Sequence, residues 1–260
     1  MELIDVTEEN IEREHICCAI ADSGQAGLGV RAKKEWMKER FADGLVFKKL
    51  NVRGKCFIEY IPAEKAWAPI EAAGYMYIDC LWVSGQYKGQ GYSNLLLDAC
   101  IRDARTKGKK GLVVLSAKKK LSFLSDPKYL KYKGFQTADT AEPYFELMYL
   151  PFDAAWETPH FKEGAKHPKL GTAGYVLYYT HQCPFTAKYV PLLAEVAARN
   201  GAAFSAVRFE TVKEAQDAPA PVTTFCLFYN GSYVTNEILS EKKFEKMIAE
   251  NRRQEEPDGI

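Results

Sequence analysis

Three glycines fall within seven residues in Gly85-Gln86-Tyr87-Lys88-Gly89-Gln90-Gly91, between an apolar run ending Cys80-Leu81-Trp82-Val83 and a helical pattern beginning near Tyr92 and Ser93. Glycines at a strand-to-helix junction let the backbone approach an anion closely. The free N–H groups and the positive end of the helix dipole then bind phosphate, and Lys88 adds a mobile charge beside them. The chemistry on offer is the holding of a phosphate-bearing ligand. A tight structural turn has the same composition, and both readings stand at this point.

Groups able to move protons flank this loop. Tyr77 and Asp79 alternate in step with Leu81 and Val83, so an unbroken strand puts all four on one face, and Glu59 lies on the preceding strand. Cys80 reads as a small buried hydrophobe. A second constellation is Tyr179-Thr180-His181-Gln182-Cys183-Pro184-Phe185-Thr186, where a cysteine follows a strand and opens a helix. The helix dipole there lowers a thiol pKa and favours the thiolate; the plain alternative is a cysteine that packs the turn. Zinc spacing is lacking: no C-x-x-C occurs, Cys17 and Cys18 are adjacent, and the four histidines do not sit at ligand intervals, so no metal site is expected.

The elements that must position these groups are legible from periodicity. A helical pattern follows Thr7 with Ile11, Ile16 and Ile20, and a second covers 32–41. Strands are expected over 45–50, 56–61 and 74–83, where aromatic and β-branched residues crowd. The clearest helix is 93–107, with Leu97, Ile101 and Ala104 on one face and a Lys107-Gly108 stop. A buried strand over 111–117, a short helical piece at 128–133 and strands at 135–138 and 144–150 complete the first unit, 1–150. Prolines and glycines punctuate 151–174, which reads as a linker. Beyond it, 175–250 has a second order: strand 175–179, helix 186–200, strand 203–209, a charged piece 212–217, strands 222–229 and 233–237 around Asn230-Gly231, and helix 240–250. Both turn residues of the Asn-Gly pair accept positive φ, a strong hairpin signal. The tail is therefore β-α-β, with a parallel pair, followed by β-β-α; residues 251–260 are a polar tail.

Composition sets the class. The 260 residues are 47% apolar and 27% charged, with 35 basic against 34 acidic side chains. Such apolar content offsets the entropy of ordering, which excludes disorder as the main state. Balanced charge argues against an electrostatically driven nucleic-acid partner; the run 107–110 with 118–120 fits a solvated rim. The acidic start predicts no targeting peptide, and the polarity of the uncharged run 170–187 predicts no membrane span. Seven cysteines without regular spacing point to reduced thiols in the cytoplasm.

Gln86-Tyr87-Lys88-Gly89-Gln90-Gly91 fits the Q/R-x-x-G-x-G/A signature of the GNAT acetyltransferase superfamily, and fits neither a Walker A loop nor a dinucleotide fingerprint. The strand ending Leu81-Trp82-Val83, the later Val113-Val114-Leu115, and Tyr132-Lys133-Gly134-Phe135 resemble the same family, as does the element order over 1–150. The resemblance implies an α/β (α+β) acetyl-CoA-binding fold, with Leu81, Val83, Gln86, Lys88, Gly89, Gln90, Gly91 and Tyr92 around coenzyme A. It implies transfer of an acetyl group to a small amine or a peptide amine, with a backbone N–H polarising the thioester. A base and an acid remain to be assigned: Asp79 is the candidate base. The family's usual acid tyrosine falls at Leu130, so Tyr129 and Tyr132 are the candidates in its place.

The tail resembles a smaller thioredoxin-like βαβ-ββα domain, with Cys183-Pro-Phe-Thr186 in place of C-x-x-C. Thr186 cannot form the internal disulfide, which leaves a monothiol site or an inherited fold used for binding alone. The family's cis-proline position falls at about Thr223. The two units together resemble the YoaP-type acetyltransferases, on the run Val222-Thr-Thr-Phe-Cys-Leu-Phe-Tyr-Asn-Gly-Ser-Tyr-Val-Thr-Asn-Glu-Ile-Leu-Ser240. Thiol binding or transfer through Cys183, and acyl-CoA binding without turnover, are the alternatives; a homodimer is left open.

Overall fold

The structure, a computed structural model, describes residues 2–16, 20, 24–154 and 156–255. Cys17, Cys18 and the last five positions of the expected polar tail lie outside the described residues. The first unit runs β1 (Leu3–Val6), α1 (Gly24–Phe41), β2 (Val46–Leu50), β3 (Cys56–Pro62), β4 (Ile70–Glu71), β5 (Met76–Val83), α2 (Tyr92–Thr106), β6 (Gly111–Ala117), α3 (Pro127–Tyr132), β7 (Gln136–Ala141) and β8 (Phe145–Pro151). Then follow β9 (His160–Phe161), α4 (Glu163–Lys166), β10 (Tyr175–Tyr179), α5 (Thr186–Arg199), β11 (Phe204–Arg208), α6 (Val212–Gln216), β12 (Phe225–Tyr229), β13 (Ser232–Thr235) and α7 (Glu241–Glu255).

Seven strands form one sheet in the order β1-β2-β3-β5-β6-β8-β7, antiparallel except where β5 lies parallel to β6. That crossover is made by α2. Its apolar face, Leu96, Leu97, Cys100 and Ala104, packs with Leu130 of α3 on Ile58, Met76, Ile78 and Val114. The second sheet has the order β11-β10-β12-β13, with β10 parallel to β11 and the other pairs antiparallel. Asn230 and Gly231 both take positive φ, 46° and 78°, as its hairpin requires.

Alternation divides the side chains of that second sheet between two cores. Tyr175, Leu177, Phe225 and Leu227 face α5 and α7. Val176, Cys226 and Phe228 face the other way, into a core shared with Trp36, Trp67 and Phe145 of the first unit and with Phe161 of β9. One face of the small sheet is thus covered by its own helices and the other by the larger unit.

Two expectations are corrected. The segment after Thr7 forms successive turns, and the first helix is α1. The segment opens as a helix would, with Asn10 Oδ1 accepting from the Thr7 N–H and Ile11 and Glu14 bonding back to the Thr7 and Asn10 carbonyls, but the bonding stops there and no helix is propagated among the described residues. Ile11 and Ile16 are still fully buried. The segment 151–174 is more than a connector, since β9 pairs with β4, α4 follows, and Phe161 and Ala165 are buried.

Candidate active site

In the glycine loop, Gly85, Gly89 and Gly91 have φ of 61°, 75° and 80°, values open to glycine and strained for other residues. A methyl built on Gly89 or Gly91 meets nothing within 4 Å, so both border open space. Gly91 is the N-cap of α2 and supplies no capping side chain. Among the described residues, no carbonyl or side chain accepts from the N–H groups of 89–93, while Asn94 and Leu95 begin the helical bonding back to Gly91. Unsatisfied donors at the head of a fifteen-residue helix form an anion cradle. Gln86, Lys88 and Gln90 are exposed along its rim, and the Gln90 amide donates to the Gln86 carbonyl. The Tyr92 ring lies against that of Tyr87.

Leading into the cradle, β5 pairs with β6 only from Met76 to Ile78. Beyond Ile78, β6 continues on β8 while β5 stays on β3, so the edge of β5 from Asp79 to Val83 has no strand partner on that side among the described residues. The two strands open as a V whose apex is at Asp79. An unpaired strand edge ending at an anion cradle suits an extended, amide-bearing ligand with a phosphate at its far end.

The same stretch overturns the parity expected for β5. Glu59 stands opposite Cys80 and Tyr60 opposite Ile78, so Asp79 is the extra residue of a β-bulge. A bulge reverses the alternation beyond it. Leu81 and Val83 therefore join Ile78 on the α2 side, whereas Tyr77 and Cys80 pack toward the opposite core.

On that opposite side lies a polar cluster drawn from distant segments. Lys33 of α1 and Glu59 of β3 are 0% and 2% exposed and form an ion pair at 2.5 Å. Asp79 accepts from the Gln182 amide at 2.5 Å through Oδ1, while its Oδ2 is shielded from solvent and has no hydrogen-bond partner among the described residues. Burial pushes the Asp79 carboxyl well above the usual range and the negative Glu59 adds to this; Lys33 and the Gln182 amide oppose it. Glu59 is also raised by burial, against the pull of Lys33. A carboxyl displaced toward neutrality beside a cleft is suited to proton transfer.

Of the two candidate acids, Tyr132 is 80% exposed and points to solvent. Tyr129 is half-buried against the α2 core, and its hydroxyl donates to Asn94 in the first turn of α2 at 3.2 Å. Burial, with help from Asp98 and Tyr132, raises its phenol to about 12, so it keeps its proton at neutral pH. Leu130 is buried in the α2 core.

Cys183 is half-buried in the turn before α5. The Thr186 hydroxyl reaches the Thr180 and Cys183 carbonyls, both at 2.8 Å, and so ties the turn to the helix it opens. Thr223 is buried and donates to the Trp67 carbonyl of the first unit at 2.5 Å. Sequence reading missed Lys33, Asn94 and Gln182. Lys33 alone left a signal, being a charge on the helix face shared with Val30 and Met37. No group of three or more His, Cys, Asp or Glu that could hold a metal occurs among the described residues, nor is any helix long and apolar enough to cross a membrane.

Comparison with known proteins matches residues 11–121 to the Acetyltransferase (GNAT) family and 204–246 to the YoaP-like family. The chain is 44% identical over 245 residues to the Bacillus subtilis (strain 168) protein named "Uncharacterized N-acetyltransferase YoaP", covering 94% of this chain and 97% of that one. Among solved structures it is similar to a GNAT family acetyltransferase from Brucella melitensis in complex with acetyl-CoA, at 17% identity and a TM-score of 0.38 over 60% of this chain and 91% of that one. It is also similar to PaiA N-acetyltransferase from Thermoplasma acidophilum in complex with coenzyme A, at 17% identity and a TM-score of 0.39 over 58% and 100%. The two family matches lie on the two units, and the Bacillus relative spans both: the chain belongs to the GNAT acetyltransferases of the YoaP type and is an N-acetyltransferase by family.

Proposed function

We propose that the protein transfers the acetyl group of acetyl-CoA, the donor of its family, directly to a small amine or a peptide amine. The observation that supports this reading best is the V between β5 and β6 running into the open cradle at Gly89 and Gly91. When bound, acetyl-CoA supplies the activated thioester. The N–H groups of 89–93, with Lys88 at the rim, hold its pyrophosphate, and the free edge of Leu81 to Val83 pairs with its pantetheine amides. Asp79 takes a proton from the acceptor ammonium, directly or through water. As the amine nitrogen bonds to the acetyl carbon and the C–S bond breaks, Tyr129 would give its proton to the sulfur and regain one from solvent. Tyr132 has no part in this reading because of its exposure.

The tail fits a thioredoxin-like domain in its strand order and in the parallel β10–β11 pair. Its turn is packed inward, with Pro184 buried and Gln182 held by Asp79, which speaks against thiol exchange with a macromolecular partner. The domain division at 1–150 and 175–250 and a cytoplasmic setting, the latter from cysteine usage, complete the reading. The test is calorimetric titration with acetyl-CoA, followed by thiol release against a panel of amines and short peptides. Saturable binding that disappears in Gly89→Glu and Gly91→Glu is the expected result, because a side chain there strains the left-handed loop and sets a carboxylate where phosphate would bind. Unchanged affinity in both variants removes the site.

A further inference from the structure

The turn 181–184 of the second unit lies against the apex of the V. Gln182 donates to Asp79 at the residue where β5 leaves β6. On its other side, the Pro184 carbonyl sits so close to Gly29 of α1 that a methyl on Gly29 would overlap it, and α5 packs along α1. The turn is also packed and bonded within itself. Thr180, Pro184 and Thr186 are buried, and the Thr186 hydroxyl ties the Thr180 and Cys183 carbonyls together. Two polar atoms at this junction, Asp79 Oδ2 and the hydroxyl of fully buried Thr180, have no hydrogen-bond partner among the described residues. Buried polar groups in native proteins are satisfied with few exceptions, so these two atoms are open to a bound water or to a polar group of the acceptor.

We propose that the turn 181–184 is the acceptor-side wall of the transfer cleft and that Gln182 is a positioning residue, its amide holding the Asp79 carboxyl toward the incoming amine. The inference rests on the donor reading given above and extends it to the acceptor. α1 and α5 pack against each other on this side, and among the described residues they and the turn crowd the approach to Asp79. The wall therefore selects a small amine over a peptide, and the second unit supplies part of the transferase site.

Two measurements on the intact chain test this. Amide hydrogen exchange is followed over 179–186 with saturating acetyl-CoA or with adenosine 3′,5′-bisphosphate, which carries the nucleotide end without the acetyl arm. At least a threefold slowing with acetyl-CoA and none with the bisphosphate is expected. Calorimetric heat from acetyl-CoA without slowing, or equal slowing by both, overturns the wall and spares the donor reading; no heat at all overturns both. In the second measurement the Asp79 carboxyl is titrated by carbon-13 NMR in aspartate-labelled protein. Removing a donor from a carboxylate favours its protonated form, so Gln182→Ala moves the midpoint up and Gln182→Lys, which restores a donor, moves it back down. A midpoint unmoved in both variants overturns the positioning role.

Discussion

In the proposed reaction Asp79 is a residue that gives up stability for proton transfer. Its carboxyl is raised by burial and by Glu59, so between the ordinary carboxylate range and its raised value the folded chain binds more protons than the unfolded one. Stability then falls as pH rises through that window and stays reduced above it. Asp79→Asn removes the charge at constant shape, so its melting temperature matches the parent's in acid and exceeds it progressively as pH rises, as thermal melts across pH will show. The same variant lowers kcat by about 100-fold or more, the scale of a lost general base, and leaves the acetyl-CoA Kd unchanged. Parent kcat/KM rises with pH along an acid limb placed above the usual carboxylate range. For the acid, Tyr129→Phe costs on the order of 100-fold in kcat, while Tyr132→Phe, on an 80% exposed ring, stays within about twofold of the parent by surface-substitution standards. Equal losses in the two tyrosine variants would sink the assignment. Asp79 was legible because a carboxylate within an apolar strand is conspicuous by type, whereas Tyr129 and Tyr132 were candidates only through the family resemblance, as the tyrosines flanking Leu130. Choosing between Tyr129 and Tyr132 needed their exposure, which two positions one turn apart in a short helix do not disclose.

At the scale of elements, period and turn chemistry carried the reading where they were strong. The strands 111–117 and 175–179 have the bounds read from sequence, and the glycine loop stands between strand and helix as its composition requires. The reading failed at two places: the capped start after Thr7 stops after its first turns without growing into a helix, and one inserted residue at Asp79 reversed the alternation of β5. No local signal marks a bulge in a run of β-formers, because register is a property of the strand pair. Packing of α5 on α1 depends on the absence of a side chain at Gly29. Gly29→Ala sets a methyl against the Pro184 carbonyl and must separate the two helices, at a cost of about 1–3 kcal/mol. A measured loss of about 3–6 °C in melting temperature for a chain of this length corresponds to the middle of that range; an unchanged melt would show that the contact is slack.

For the whole molecule, the face of the second sheet bearing Val176, Cys226 and Phe228 is part of one core with Trp67 and Phe145. Polar links close the same boundary: Thr223 to Trp67, Gln216 to the Glu64 and Ala66 carbonyls, and Tyr144 to Tyr233 and Asn236. Two units that share a core unfold together, so calorimetry of the full chain is expected to give one transition with matching calorimetric and van't Hoff enthalpies; two separated transitions would contradict the shared core. The amino-acid sequence by itself determined the strand, glycine loop and helix over 76–106, the β-α-β and β-β-α order of the tail and the membership of two successive folding patterns, because helix period, strand alternation and turn residues act over a few neighbours. Only the tertiary structure decided that Lys33, Glu59, Asp79 and Gln182 meet, and on which side of β5 they do so. Those residues are up to 149 positions apart in the chain, and what joins them is the burial of one sheet against another, a non-local balance of area and shape that no stretch of sequence contains.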